Sequence, residues 1–529
     1  MNEIARPSPG QLAWHAMELE MFVHLDPATW QSRHIDDHST PLAAINPQSL
    51  DVEQWIDVAR SFDAKQIILV AKHHGGFCWW PTRTSNYGVK ETPWRRGKGD
   101  LVAELARACR RQGLRLGIYL SPQDSCFNAG QAGCCPTRAE QQRYHRVYRQ
   151  QLTELLSLYG EIAEVWFDGS LVIAVADILQ RYAPEAMIFQ GPRATIRWVG
   201  NESGYAPYPA WNAVRARDAL GGVATAAHGV PEGDVWLPLE TDTPVREHYW
   251  FWQPNTESTL KSLAQLMEIY YRSVGHGTVL LLNSAPDTNG LIPEADAKRV
   301  AEFGAEIRRR FDQCLAETRG EGQSLTLSFA APQAVDHVVT MEDIAQGERI
   351  REYVIEGETQ GRWVELARGT AIGHKKIDAF APQTVTALRL RVLHSGAETR
   401  VRRLAAYHTG LNVTIERAAE IYDPFLAGQW EVQAGTAWKT LVIDISRICN
   451  EARQYEIELK PDRGSAPIEV QAITLAVAGI AATGYVTAGA NPLTWNMNIT
   501  ALGGEKSLRL VIRGQDHGSS QGKIMIRRQ

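Results

Sequence analysis

The sequence predicts an α/β protein, a (β/α)8 TIM-type barrel followed by all-β sandwich domains. Three observations point to it. Between residue 18 and about residue 310, eight short apolar runs alternate with helical patterns. Roughly 300 residues is the usual span of eight βα units. After about residue 318 the hydrophobic period changes from helical spacing to strict alternation.

The eight runs are, in order, MFVHL, QIILVAK, RLGIYLS, AEVWFDG, MIFQG, IRWVGN, VWLPLE and TVLLLN. Between most of them lie amphipathic stretches at 51–62, 98–112, 139–158, 172–182, 257–274 and 294–310, with apolar positions recurring at three and four. Continuous apolar strands separated by helices imply a parallel sheet buried on both faces. An open doubly wound sheet is the alternative, but no GxGxxG follows the first strand and the polar residues do not gather at one switch point. Downstream, SLTLSF, HVVTM, REYVIEG, WVELARG and ALRLRVL alternate as antiparallel strands do, and WKTLVIDI, QYEIELK, ITLAVAG and SLRLVIRG form a second such set. The expected domains are therefore 1–315, 318–410 and 411–529.

With 22% charged residues, 44% apolar residues and a net charge of -5 over 529 residues, the chain has no basic stripe to hold nucleic acid. No apolar run is long enough to span a membrane, and the first residues lack a signal-peptide layout. As written the chain reads as cytoplasmic; a removed leader would make it periplasmic or secreted. Seven cysteines make no disulfide framework, and the adjacent Cys134 and Cys135 read as loop residues.

In such a barrel the loops leaving the carboxy-terminal strand ends build the active site, so the residue after each run is the one to inspect. Strand one ends in His24, strand two in Lys72, His73 and His74; strand three reaches Tyr119. Strand four ends in Asp168, strand six in Asn201 and Glu202, strand seven in Glu240. Asp168 is aimed at the barrel mouth, unless it caps the helix that follows, for which Ser170 is the better candidate. Two adjacent histidines on an extended strand point to opposite sides and do not chelate one ion, so no metal is expected. They suit hydrogen bonds to sugar hydroxyls, with Gly75 and Gly76 letting the turn approach a ligand. Two carboxylates beside Trp166 suggest cleavage of a glycosidic bond, with Asp168 as nucleophile and Glu202 as acid/base, its acidity weakened by an apolar lead-in and Tyr205. Glu240, Glu18 and Glu20 are competing acids.

The blocks KHHGGFCWWPTRTSNYGVKETPWRRGKGDLVAELARACRRQGLRLGIYLSP, YGEIAEVWFDG and SVGHGTVLLLNSAPDTNGLI closely resemble the catalytic domain of glycoside hydrolase family 29, the retaining α-L-fucosidases, over residues 12–315. The resemblance implies hydrolysis of terminal α-L-fucose from fucosylated oligosaccharides or glycoconjugates, without a cofactor. It assigns Asp168 as nucleophile, Trp166 to the fucose pocket, and His24, His73, His74 and Tyr119 to the sugar hydroxyls. After His24 the chain departs from the family pattern, so the wall there is expected to differ. WVGNE resembles the subgroup that prefers branched α1,3 and α1,4 fucosides, whose acid/base corresponds to Glu202. WLPLETDTPVREHYWFW resembles that subgroup's next block, which makes Glu240, Arg246 and Trp252 binding candidates. The 318–410 segment resembles a discoidin or carbohydrate-binding fold. Two other readings of the pocket are an exo-glycosidase for a fucose-like sugar such as L-galactose and a non-catalytic carbohydrate-binding protein.

Overall fold

The computed structural model describes residues 4–216, 228–411, 413, 425–445, 449, 454–461, 465–477, 480–481, 486–488, 493–498 and 506–528. The chain divides into two compact units, one of Met1–Val223 and Ala227–Glu416 and the other of Ala224–Ala226 and Arg417–Gln529.

The first unit opens with a barrel. Its strands are β1 (Leu19–Val23), β2 (Gln66–Lys72), β3 (Arg115–Leu120), β4 (Glu164–Trp166), β5 (Met187–Phe189), β6 (Arg197–Trp198), β7 (Leu239–Pro244) and β8 (Val279–Asn283). Neighbours pair in parallel from β1 through β5 and from β6 through β7 and β8 back to β1. A single parallel bridge, Phe189 to Ile196, closes the ring between β5 and β6. The predicted barrel is thus the observed one, and the all-β sheets follow it.

Alternation divides the strand residues between two cores. Outward side chains such as Ile67, Leu69, Ile118, Leu120 and Leu282 meet Trp55, Ile56, Leu105, Leu152 and Leu155 of the surrounding helices. Each such fully buried aliphatic side chain contributes about 1.5–3 kcal/mol. Phe22, Ile68, Val70, Tyr119, Trp166, Phe189 and Leu281 fill the interior, and Trp14 plugs its lower end. Trp14 lies on the short helix Pro9–His15, which Ser8 and Gln11 start with a reciprocal capping box. Gly117 is needed in β3 because a Cβ there would approach Ile68 to 2.8 Å.

One predicted strand is displaced. The run VWLPLE is split: Val235–Trp236 pairs with Ala213–Val214 in a small hairpin, and β7 begins only at Leu239, after Pro238. Glu240 therefore enters near the start of its strand, not at its end. The predicted helix 172–182 is also shorter, Ala176–Tyr182.

A six-stranded antiparallel sheet completes the first unit, its long strands Ser324–Glu342 and Lys376–Ser395 broken by bulges that let it wrap around its own core. It rests on the barrel: Val339, Met341, Ile377 and Tyr407 join the barrel's outer core, and Glu18 pairs with His374 and Lys375. Among the described residues the second unit has a five-stranded and a four-stranded sheet around a core that includes Ile457, Leu459, Leu508, Leu510 and Ile524. Part of the expected break at 408–420 lies outside the described residues. Among the described residues no helix is long and apolar enough to cross a membrane.

Candidate active site

Asp168 follows β4 at the carboxy-terminal mouth, its side chain 38% exposed. It caps no helix, nor does Ser170, because the next helix begins at Ala176. The turn Asp168–Gly169–Ser170 is instead held by Gln190, just after β5, whose Oε1 accepts from Gly169 N at 2.7 Å and Ser170 N at 3.3 Å. Gly169 and Ser170 both take positive φ, 72° and 77°, and these hydrogen bonds stabilise that strained path. Asp168 Oδ2 accepts from the Tyr119 hydroxyl at 2.9 Å and lies 3.4 Å from His74 Nε2.

The histidines surround this carboxylate. His74 Nδ1 meets Ser121 Oγ at 2.8 Å, and His24 Nδ1 meets Asn283 Oδ1 at 2.8 Å. Burial pushes His24 down to about 3 and His73 well below the usual imidazole range; it also lowers His74, against the opposing pull of Asp168. Three neutral imidazoles at neutral pH can each both donate and accept.

The expectation that His73 and His74 diverge is corrected. β2 ends at Lys72, so strand alternation stops before them, and their ring centroids lie 4.1 Å apart. Together with Asp168 they bring one nitrogen or oxygen each within 4.8 Å of one another. Gly75 and Gly76 also leave room for two carboxylates: a Cβ on either would lie 2.4 Å from one, of Asp36 or Asp124 respectively. Of these, Asp124 is held by Lys72 Nζ at 2.7 Å.

Trp166 stacks on Phe189 with centroids 3.7 Å apart and 3° between planes, and its Nε1 donates to Glu240 Oε1 at 2.9 Å. Glu240 is fully buried in the barrel interior. It supports Trp166 from inside the barrel and does not line the open pocket. Arg246 is likewise buried, its guanidinium engaged by Asp296 at 2.9 to 3.1 Å and by Thr256 Oγ1 at 2.9 Å, so it clamps a loop to the helix Glu294–Phe311. Trp252 is half-buried, while its neighbours Trp250 and Phe251 pack on His24 with centroids 5.1 and 5.2 Å away.

Glu202 is exposed, and Trp250 Nε1 donates to its Oε2 at 2.9 Å. The apolar enclosure expected for it is absent, and the Tyr205 ring is covered by the Arg272 guanidinium at 3.8 Å. A residue the sequence reading missed, Asp242, stands between the two carboxylates electrostatically. Burial first, then the charge of Glu202, pushes it well above the usual range, with a smaller push from Asp168. It accepts from Trp198 Nε1 at 2.6 Å. The inward alternation Glu240, Asp242 in LETDTP was the signal, hidden while the strand was placed too early.

Carboxylates, imidazoles and indoles around the carboxy-terminal mouth of a closed barrel are the equipment of a glycoside hydrolase. Comparison with known proteins narrows the class. Residues 29–309 match the family model described as Alpha-L-fucosidase. Alpha-L-fucosidase 1 of Arabidopsis thaliana is 31% identical over 426 residues, 71% of this chain and 81% of that protein. A glycoside hydrolase 29 family member from an unknown rumen bacterium, 27% identical, superposes with a TM-score of 0.69 over 96% of each chain. A candidate α-L-fucosidase from Bacteroides thetaiotaomicron, 34% identical, gives a TM-score of 0.72 over 77% of this chain and 100% of that one. The chain belongs to the α-L-fucosidase family of glycoside hydrolases.

Proposed function

We propose that this chain is a retaining exo-α-L-fucosidase acting on terminal α1,3- and α1,4-linked fucose of branched oligosaccharides or glycoconjugates. In the first step a carboxylate oxygen of Asp168 attacks C1 as the C1–O bond to the leaving sugar breaks and Glu202 gives its proton to the departing oxygen. In the second, Glu202 takes a proton from water, the water oxygen bonds to C1, and the Asp168–C1 bond breaks. His24, His73, His74 and Tyr119 hold the sugar hydroxyls, and Trp166 and the half-buried Trp252 supply the wall for its methyl group.

The observation that supports this reading most is the environment of Asp168. With Oδ2 held by the Tyr119 hydroxyl and faced by His74 Nε2, Oδ1 is the oxygen presented for attack. The linkage preference is supported by the WVGNE block alone. Fucose release from a Lewis-type branched trisaccharide, beside a simple 2'-linked fucoside, tests both parts. Release from the branched sugar that is lost in Asp168→Asn is expected; equal release from the 2'-linked sugar overturns the preference, and activity surviving in Asp168→Asn overturns the mechanism.

A further inference from the structure

Inside the barrel, on the amino-terminal side of the pocket, Glu20, Glu164 and Glu240 are all fully buried. One carboxylate oxygen from each lies within 4.8 Å of the others. Three negative charges in so small an apolar volume repel one another strongly, so they are not all ionised. The hydrogen bonds say which are.

Glu164 Oε2 accepts twice, from Trp14 Nε1 at 3.1 Å and Gln66 Nε2 at 2.9 Å. Glu20 Oε1 accepts the other amide proton of Gln66 at 3.2 Å, and Glu240 Oε1 accepts from Trp166 Nε1 at 2.9 Å. With all three groups ionised, Glu20 Oε2, Glu164 Oε1 and Glu240 Oε2 would be buried acceptors with no donor. A carboxylate has about four acceptor positions, and Glu164 Oε1 has two of them open. A proton on Glu240 donated to Glu164 gives these two groups a partner in each other, and a proton on Glu20 removes the third charge from the cluster.

We infer that this triad holds two protons and a single negative charge, with Glu164 ionised between protonated Glu20 and Glu240, and that Glu240 in this state is the positioning residue for Trp166. The order of acidities agrees: burial raises Glu164 to about 7, whereas burial and the charge on Glu164 raise Glu20 and Glu240 well above the carboxylate range. A metal ion is not needed to balance the site. The neutral acid at 240 accepts from Trp166 through its carbonyl and donates to Glu164 through its hydroxyl, so the indole is fixed in its plane two residues before Asp168. The positioning role rests on Trp166 lining the fucose pocket; the proton assignment does not.

A glutamine at position 240 reproduces that state, because its carbonyl accepts and its amide donates. At position 164 it does not, since an amide nitrogen would face the hydroxyl of Glu240. Infrared difference spectra of the whole protein decide the protons. Glu240→Gln and Glu20→Gln are each expected to remove one protonated-carboxyl carbonyl band, and Glu164→Gln an ionised carboxylate band. Loss of an ionised band in Glu240→Gln overturns the assignment, as does a stoichiometric metal that Glu240→Gln releases. Steady-state kinetics decide the positioning. Glu240→Ala is expected to raise KM for a fucoside by about tenfold, the loss of one buried hydrogen bond, and Glu240→Gln to restore it. A KM in Glu240→Gln as high as in Glu240→Ala overturns the positioning role. If the alanine or Glu164 variant does not fold, the spectra of wild type and Glu240→Gln still settle the protons.

Discussion

Around Asp168 the decisive detail is a single proton on His74. Ser121 donates its hydroxyl to Gln123 O at 2.9 Å, so it can only accept from His74, which fixes the proton of the neutral ring on Nδ1. Nε2 then turns a lone pair toward Asp168 Oδ2 at 3.4 Å, and two acceptors facing each other need a proton between them. At neutral pH a sugar hydroxyl supplies it; at acid pH the ring supplies its own. The resulting imidazolium pairs with Asp168 and weakens it as a nucleophile. Burial pushes His24 down to about 3 and His73 well below the usual range, whereas the pull of Asp168 opposes the lowering of His74, so His74 is the first of the three to take up a proton as pH falls. The acid limb of kcat/KM is therefore expected to follow His74, and His74→Gln, which cannot take up a proton, should move that limb to lower pH at reduced overall activity. A pH–rate profile checks this, and an unmoved limb would remove His74 from the account. These pocket residues were readable because a strand end converts a position in the chain into a position at the mouth. Asp242 was not, since its strand register depends on a hairpin that no local pattern announces.

At the scale of elements, the apolar runs announced every barrel strand, but runs do not distinguish a strand from the hairpin beside it. In VWLPLE, Pro238 cannot donate to a ladder, and the pairing passes from one sheet to another around it. The resemblance of its block made Arg246 a pocket candidate, and no local pattern shows that it is a clamp. Its partner Asp296 is fifty positions away on a helix, and both side chains are at most 3% exposed. A buried ion pair of this kind stabilises by mutual satisfaction, and breaking it strands a charge. Arg246→Met is expected to destabilise the protein by about 3–5 kcal/mol, because Asp296 is left unpaired. Adding Asp296→Leu should recover most of the loss, since the second change removes the stranded group. Urea unfolding of the single and double variants checks the coupling. Equal destabilisation by the double variant would mean that Arg246 acts through packing and not through its charge.

Across the whole molecule, the change of hydrophobic period marked where the barrel gives way to all-β structure. The sheet of 316–407 nevertheless belongs to the same compact unit as the barrel, because long-range pairs such as Asn212–Glu348 and Tyr271–His337 tie them together. That unit buries two opposed sets of titratable groups, and together they set its pH response. His24 and His276, lowered to about 3 by burial, refuse a proton that the unfolded chain accepts below about 6.5, so they weaken the fold as pH falls below that value. Glu342, raised by burial to about 8, and Glu20 and Glu240, raised well above the carboxylate range by burial and the charge of Glu164, keep protons that the unfolded chain releases above about 4.5, so they weaken the fold as pH rises from there. Between about 4.5 and 6.5 the two sets oppose each other; from 6.5 to about 8 the carboxyls act alone. Stability is therefore expected to decline over that upper interval, by on the order of 1 kcal/mol per pH unit for each carboxyl still protonated in the fold. Glu342 gives the cleanest control. Its Oε1 accepts from Arg349 N at 2.6 Å and Ile350 N at 3.1 Å, and its Oε2 is buried with no donor to stabilise a charge on it. Glu342→Gln keeps the accepting carbonyl and cannot ionise, so urea midpoints measured from pH 6.5 to 8.5 should fall less steeply in the variant than in the wild type. Parallel slopes would mean that Glu342 is already ionised in the folded protein and that its burial is balanced by the two backbone amides.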